Sequence, residues 1–181
     1  MKSLQHRKCL HLIINGVDNS NFAPDKDITR AEFSAILVKG LGLMRPGTGK
    51  DTFTDVTKDA WYYDAVSISY EYGLISGYED GTFKPTDKVT REQAMTMIAR
   101  AMQITGLDSE MAAKDADHVL SIYVDSSQLG GWAKNSVVKC ISTQLVAGRN
   151  GNQIAPKYSI TRAEVAVIMR RLLQKSGLIV K

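Results

Sequence analysis

Apolar residues recur at helical spacing in three stretches of the chain. Ala94, Met97, Ile98 and Ala101 fall at i, i+3, i+4 and i+7. The same slots hold Phe33, Ile36, Leu37 and Gly40 earlier, and Val165, Ile168, Met169 and Leu172 later. Each stretch opens on Thr with Glu or Gln three residues on: Thr29 and Glu32, Thr90 and Gln93, Thr161 and Glu164. That spacing is a capping box, in which the threonine hydroxyl and the Glu or Gln side chain each take one orphan amide of the first turn. The pattern predicts three helices starting just after these threonines, each with one apolar face. A broader pattern of Ala60, Trp61, Ala65, Val66, Ile68, Ser69 and Tyr72 predicts another helix over residues 59–73, stopped by Gly73. The Gly-, Pro- and Asp-rich run GYEDGTFKPTDKV, residues 77–89, predicts a loop between the two helices of a pair.

These stretches belong to an internal repeat. NGVDNSNFAPDKDITRAEFSAILVKGLGL from Asn15, SGYEDGTFKPTDKVTREQAMTMIARAMQI from Ser76 and AGRNGNQIAPKYSITRAEVAVIMRRLLQK from Ala147 align without a gap, at offsets of 61 and 71. Gly16, Gly77 and Gly148 correspond, as do Pro24, Pro85 and Pro156, and Arg30, Arg91 and Arg162. The preceding half repeats less completely. Phe53 to Ile75 matches Tyr123 to Val146, with Asp55 facing Asp125 and Trp61 facing Trp132. The first block is preceded only by the tail of this half. The reading is one all-α module of three helix-loop-helix repeats, 1–44 with its front half missing, 53–104 and 123–176. A linker of residues 104–122 contains Asp-Ser-Glu-Met-Ala-Ala, a candidate short helix. Faces that no repeat can bury alone pack on one another, which predicts a pseudo-threefold arrangement around a central three-helix bundle. Leu10, Leu12, Ile13 and Ile14 are too few to replace the missing front helix, so self-association into a homo-oligomer by helix exchange, or low stability, is expected.

Composition adds little to fold but narrows function. Of 181 residues, 44% are apolar and 23% charged, as in ordinary globular proteins. No apolar run reaches the 18 or so residues of a membrane span. The net charge of +4 suits an anionic partner without naming one. The N-terminus has a basic front, but its apolar stretch is short, broken by His11 and followed by no small-residue cleavage site, so no signal peptide is read there. Cys9 and Cys140, far apart and without CxxC spacing, make no metal site and read as small buried hydrophobes.

The box explains Thr and Glu but not the arginine between them. Arg30, Arg91 and Arg162 stand at the first helical position, where the dipole mildly disfavours a cation. A salt bridge to a carboxylate such as Asp55 or Asp125 is one reading. The other is an anion site, in which the guanidinium and free helix N-terminal amides hold a carboxylate together. On that second reading, removing Arg91 weakens binding and leaves stability little changed.

Phe53-x-Asp55, Trp61, the run Gly77-Tyr78-x-Asp80-Gly81-Thr82-Phe83-x-Pro85 and the TRAE-like box, in this order, resemble the S-layer homology family from about residue 7 onward. The resemblance implies a non-catalytic anchoring module of extracellular surface proteins in Gram-positive-type bacteria, held on the cell wall without a covalent bond. It implies grooves between repeats that bind a secondary cell wall polysaccharide through pyruvylated N-acetylmannosamine. Arg30 with Trp61 would line one groove, Arg91 with Trp132 the next, and Arg162 a third whose tryptophan is missing. Gly16, Gly77 and Gly148 would contribute backbone, and Asp80 the neighbouring loop. Departures are TREQ at Thr90 to Gln93 and Arg149-Asn-Gly-Asn152 in place of Glu79-Asp-Gly-Thr82. No cofactor is implied.

Rival chemistries are weaker. A glycosidase needs two carboxylates across a cleft, yet Asp55 and Asp125 precede helices, where Asp has a structural use, and no nucleophile elbow, HExxH or phosphate loop occurs. DNA binding is invited by helix pairs and a basic pI, but basic residues are scattered and the connecting loops too long for the DNA-binding motif. No EF-hand pattern is met at Asp18 or Asp80, where Asp-Gly reads as a tight turn.

Overall fold

The computed structural model describes residues 21–107 and 116–180. Gly16, Cys9, Leu10, Leu12, Ile13, Ile14 and the candidate linker helix from Asp108 lie outside the described residues, and with them the expectation of helix exchange.

Six helices are present among the described residues: α1 (Arg30–Gly40), α2 (Tyr63–Glu71), α3 (Arg91–Ile104), α4 (Ala116–Leu120), α5 (Lys134–Ser142) and α6 (Arg162–Lys175). Two 3₁₀ turns, Ser126–Gln128 and Gly131–Ala133, precede α5. No strand occurs there, only isolated bridges, so the fold is all-α.

All three capping boxes form. Thr29, Thr90 and Thr161 have extended backbone and accept from the Glu32, Gln93 and Glu164 amides at 3.2, 3.3 and 3.3 Å. The third-position side chains return the contact to the threonine amides at 2.8, 3.0 and 2.9 Å. Apolar slots are buried as expected: Phe33, Leu37, Ala94, Ile98, Ala101, Val165 and Leu172 are 0% exposed. The front helix begins at Tyr63 rather than residue 59. Turns closed by the Ala60 amide on Thr57 and the Tyr63 amide on Ala60 occupy the intervening residues, and no side chain caps a helix there. Trp61 and Trp132 therefore sit in the turns ahead of α2 and α5.

The repeats are joined by a cyclic set of backbone hydrogen bonds. The Ile28 amide donates to Ile160, Ile160 to Val89 and Val89 to Ile28, at 3.1, 3.0 and 3.1 Å. One residue pair outward, the Arg30, Arg91 and Arg162 amides donate to Asp87, Tyr158 and Lys26 of the next repeat at 2.9, 2.9 and 3.0 Å. The Ala31, Glu92 and Ala163 amides reach Pro85, Pro156 and Pro24. A neighbouring loop thus satisfies the first two orphan amides of each second helix, and the threonine satisfies the third. Above this ring, α1 packs on α6, but the most extensive helix contacts are α1 with α2 and α3 with α5. Each front helix lies on the second helix of the repeat before it.

The aromatic-x-Asp pair holds the long loop. Asp55 accepts from the Phe83 and Lys84 amides at 2.7 Å each, and Asp125 from Ile154 and Ala155 at 2.8 and 2.7 Å. Lys84 and Ala155 have positive φ, 57° and 54°, although each precedes a proline. The first repeat has Ala23 at φ 48° in the same place, and its amide donates instead to Asn21 at 2.9 Å. The aromatic ring covers the loop glycine. A Cβ on Gly77 would run into the Phe53 ring and sit 2.8 Å from the Thr82 carbonyl oxygen; on Gly148 it would meet Tyr123 at 2.8 Å.

Candidate functional site

The three box arginines are buried, at 8, 2 and 5% exposure for Arg30, Arg91 and Arg162. Each reaches into the loop of the following repeat. Arg30 Nε donates to the Phe83 carbonyl at 2.7 Å and Nη2 to Ser76 at 3.2 Å. Arg91 repeats this on Ile154 and Ala147 at 2.8 and 3.3 Å, and Arg162 Nε donates to Phe22 at 3.0 Å. The Arg30 guanidinium also lies over the Phe83 and Tyr78 rings, 4.6 and 5.0 Å from their centroids. Burial pushes Arg30 and Arg91 down from their ordinary pKa, with nearby acidic groups opposing the shift. The arginines are first of all rivets between repeats.

One detail of the anion-site reading and the partner named by the salt-bridge reading are corrected here. The helix N-terminal amides are already bonded within the protein, so the guanidinium alone remains to meet an anion. Asp55 and Asp125 are committed to loop amides and form no salt bridge with the arginines. Arg91 instead pairs with the box glutamate of the next repeat, Glu164, at 2.7 Å.

An open cleft lies where α3 meets the loop at 75–78. Arg30, Ser76, Gly77, Gln93, Arg100 and Trp132 line it, with Tyr78, Thr96 and Met97. Its residues come from all three repeats. Trp132 thus shares a cleft with Arg30, not with Arg91, because α5 packs on α3 and carries the preceding turn onto the outer side of that helix. Trp61, which corresponds to Trp132 in sequence, stands in the turn ahead of α2, and α2 packs on α1. The cleft of Arg91 has no counterpart, since Trp61 and Trp132 are the chain's two tryptophans. Both are strongly exposed, at 67 and 60%, which is unusual for the largest aromatic side chain. Trp132 is steadied from below: its ring lies against Gly130, whose amide donates to Glu92 at 3.0 Å. Lys157 holds the other oxygen of Glu92 at 2.6 Å.

A second open cleft, lined by Tyr123, Gln144, Ala147, Gly148, Arg171 and Lys175 among others, lies over the third repeat's loop. Asp80 lines neither cleft. Its carboxylate accepts from the Thr82 amide and hydroxyl at 3.0 and 2.6 Å, stabilising the turn at Gly81 (φ 77°). Gln93, Thr96 and Arg100 are the cleft residues that pattern reading passed over. A signal existed: Gln93, Thr96, Met97 and Arg100 are spaced i, i+3, i+4, i+7, a second face beside the apolar one. Among the described residues no His/Cys/Asp/Glu group could hold a metal ion, and the buried Cys140 thiol donates to the Met95 carbonyl at 3.3 Å. No described helix is long and apolar enough to cross a membrane.

Comparison with known proteins places this geometry. The S-layer homology domain matches residues 11–34, 52–95 and 123–166, together more than half of the chain. The chain is 33% identical over 166 residues to an amylopullulanase of Thermoanaerobacterium thermosulfurigenes, covering 91% of this chain and 8% of that protein. It is 32% identical to the surface-layer 125 kDa protein of Lysinibacillus sphaericus, covering 90% of this chain and 13% of that one. It is 28% identical to the cellulosome-anchoring protein of Acetivibrio thermocellus, covering 91% of this chain and 36% of that one. The chain spans a small part of these proteins, and the part shared by polypeptides with such different names is the repeat region. The capped helices, interlocked loops and three matched segments agree: the chain belongs to the S-layer homology domain family.

Proposed function

We propose that this module anchors its polypeptide to the bacterial cell wall, outside the cell, by binding an anionic secondary wall polysaccharide between repeats without catalysis. The observation that carries the reading is the cleft in which the Arg30 guanidinium, the Gly77 backbone and the exposed Trp132 ring converge. A pyruvyl ketal presents a fixed carboxylate on a sugar ring. The guanidinium edge suits the carboxylate, and an indole face suits the apolar side of a pyranose. Binding makes and breaks no bond, so no general acid or base is needed. That surface-layer and cellulosome-anchoring proteins share the repeats supports the same reading. Pyruvylated N-acetylmannosamine is the proposed epitope, and nucleic acid is not a proposed partner.

Sedimentation with purified wall sacculi tests it. The protein should pellet with intact sacculi and stay in solution once the polysaccharide has been extracted. Equal pelleting with extracted walls would overturn the reading. Loss of pelleting with all walls, together with concentration-dependent oligomers, would favour a structural self-association module instead.

A further inference from the structure

Of the three capped helices, α3 alone carries a carboxylate at its second helical position. That residue is Glu92, where α1 and α6 have Ala31 and Ala163. Both sister boxes form without it, so capping does not account for Glu92. It is 4% exposed, and a charge so buried needs compensation. A helix start favours an anion, Lys157 Nζ lies 2.6 Å from Oε1, and the Gly130 amide donates to Oε2 at 3.0 Å.

The carboxylate therefore grips two segments of the third repeat. Lys157 belongs to the long loop, between the Pro156 and Tyr158 carbonyls that take the Glu92 and Arg91 amides. Gly130 opens the 3₁₀ turn that carries Trp132, closed by the Ala133 amide on the Gly130 carbonyl at 2.9 Å. Two adjacent glycines give this turn little conformational preference of its own. Trp132 is 60% exposed, and a ring with so little packing takes its position from the turn beneath it. Gly130 has φ −63° and ψ 135°, open to any residue. Yet a Cβ there would come 2.5 Å from the indole Nε1. The ring rests on Gly130 itself, so what fixes Gly130 fixes the ring. Trp61 lacks this support. Asp59 and Ala60 precede it, the helix that α2 packs on offers Ala31, and its ring meets Tyr62 edge-on at 5.3 Å.

We propose that Glu92 is a positioning residue for glycan binding: through the Gly130 amide it holds the Trp132 ring in the Arg30 cleft before the sugar arrives, with Lys157 as its counter-charge. This rests on the anchoring function proposed above. A ring held in advance spares binding the cost of ordering it. A released ring that spends about a tenth of its time in the binding pose would lower affinity about tenfold.

Two measurements on the whole chain test it: calorimetric titration with pyruvylated N-acetylmannosamine, and time-resolved emission anisotropy of Trp132 in a Trp61→Phe background. Glu92→Ala should weaken binding about tenfold and add fast ring motion to the anisotropy decay. Glu92→Gln should restore most of the affinity, because its amide oxygen still accepts from Gly130. In a Trp132→Ala chain, Glu92→Ala should cost no further affinity, since a residue that acts through the ring has nothing left to act on. Unchanged affinity or ring motion in Glu92→Ala, an equal loss in the Trp132→Ala chain, or a Glu92→Gln as weak as Glu92→Ala would overturn the proposal. If Glu92→Ala fails to fold, Glu92→Asp takes its place with the same outcomes, as it keeps the charge at the helix start but falls a methylene short of Gly130. A wild type that does not bind the sugar overturns the anchoring function itself. A wild type that binds, beside an indifferent Glu92→Ala, overturns only the positioning role.

Discussion

Arg91 and Glu164 are 73 positions apart in sequence and 2.7 Å apart in space, joining the second repeat's helix to the third repeat's capping box. Glu164 does three things at once: it caps Thr161, pairs with Arg91 and pairs with Arg149. This explains why a cation is worth placing at a helix N-terminus, where the dipole alone disfavours it. The neighbouring repeat's carbonyls and carboxylate more than offset the dipole.

Arg91→Ala should therefore destabilise the module, not leave it unchanged as the dipole argument from sequence expected. It strands the Ile154 and Ala147 carbonyls and one side of Glu164. The cost should be about 3 kcal/mol, the lower part of the range for breaking a buried pair, because Glu164 is 25% exposed. Arg30→Ala strands carbonyls alone and should cost about 1–3 kcal/mol. Urea midpoints of the two variants check the order.

Acid should loosen the third repeat's box before the second's. Burial works to raise the Glu164 carboxyl, but the Arg149 hydrogen bond, the Thr161 amide and Arg91 outweigh it and hold the group below its ordinary 4.5. A carboxyl depressed on folding contributes stability above its unfolded pKa and loses it as pH falls through the folded value. The contribution should be complete well above the ordinary value of 4.5 and drain away as pH falls below it. Gln93 does not titrate. In thermal melts between pH 3 and 7, Glu164→Gln should start less stable at neutral pH and lose less on acidification than the wild type. Parallel curves would show that Glu164 carries none of the acid response.

Asp55 and Asp80 look alike in sequence, each beside a turn, yet their substitution should differ severalfold. Asp55→Ala removes the acceptor of two loop amides, one belonging to a left-handed Lys84, and should cost about 3 kcal/mol. Asp80→Ala opens an exposed local turn and should stay within about 0.5 kcal/mol. Denaturant titrations of both variants check the ratio.

The helices with cooperative local codes were legible in sequence. Thr29, Thr90 and Thr161 announce their boxes within four residues, and the apolar slots follow from spacing alone. The family resemblance pointed to Arg30 and Trp132 as site residues but put them in different grooves, with Trp61 and Arg91, whereas both line one cleft. Which tryptophan meets which arginine depends on α5 lying over α3, a tertiary choice that no local pattern encodes. The fate of the helix N-terminal amides was hidden for the same reason: their acceptors, such as Asp87 and Tyr158, belong to another repeat's loop. Gln93 was visible but was read only as a cap, because its place in the Arg30 cleft depends on the loop at 75–78 folding against α3.

Trp132 and Trp61 provide a test that uses the protein's own fluorescence. Both rings are exposed, and they are the chain's two tryptophans, so a variant that keeps one isolates its signal. Trp132→Phe should leave stability within about 0.5 kcal/mol, because a side chain 60% exposed has little burial to lose. It should weaken polysaccharide binding about ten- to a hundredfold, the scale of a lost aromatic anchor. Trp61→Phe should bind like the wild type, because Trp61 does not line the cleft of Arg30. Ligand-induced change in indole emission should then persist in Trp61→Phe and vanish in Trp132→Phe. The reverse result would move the working groove from Trp132 to Trp61, and equal partial losses would spread binding over both.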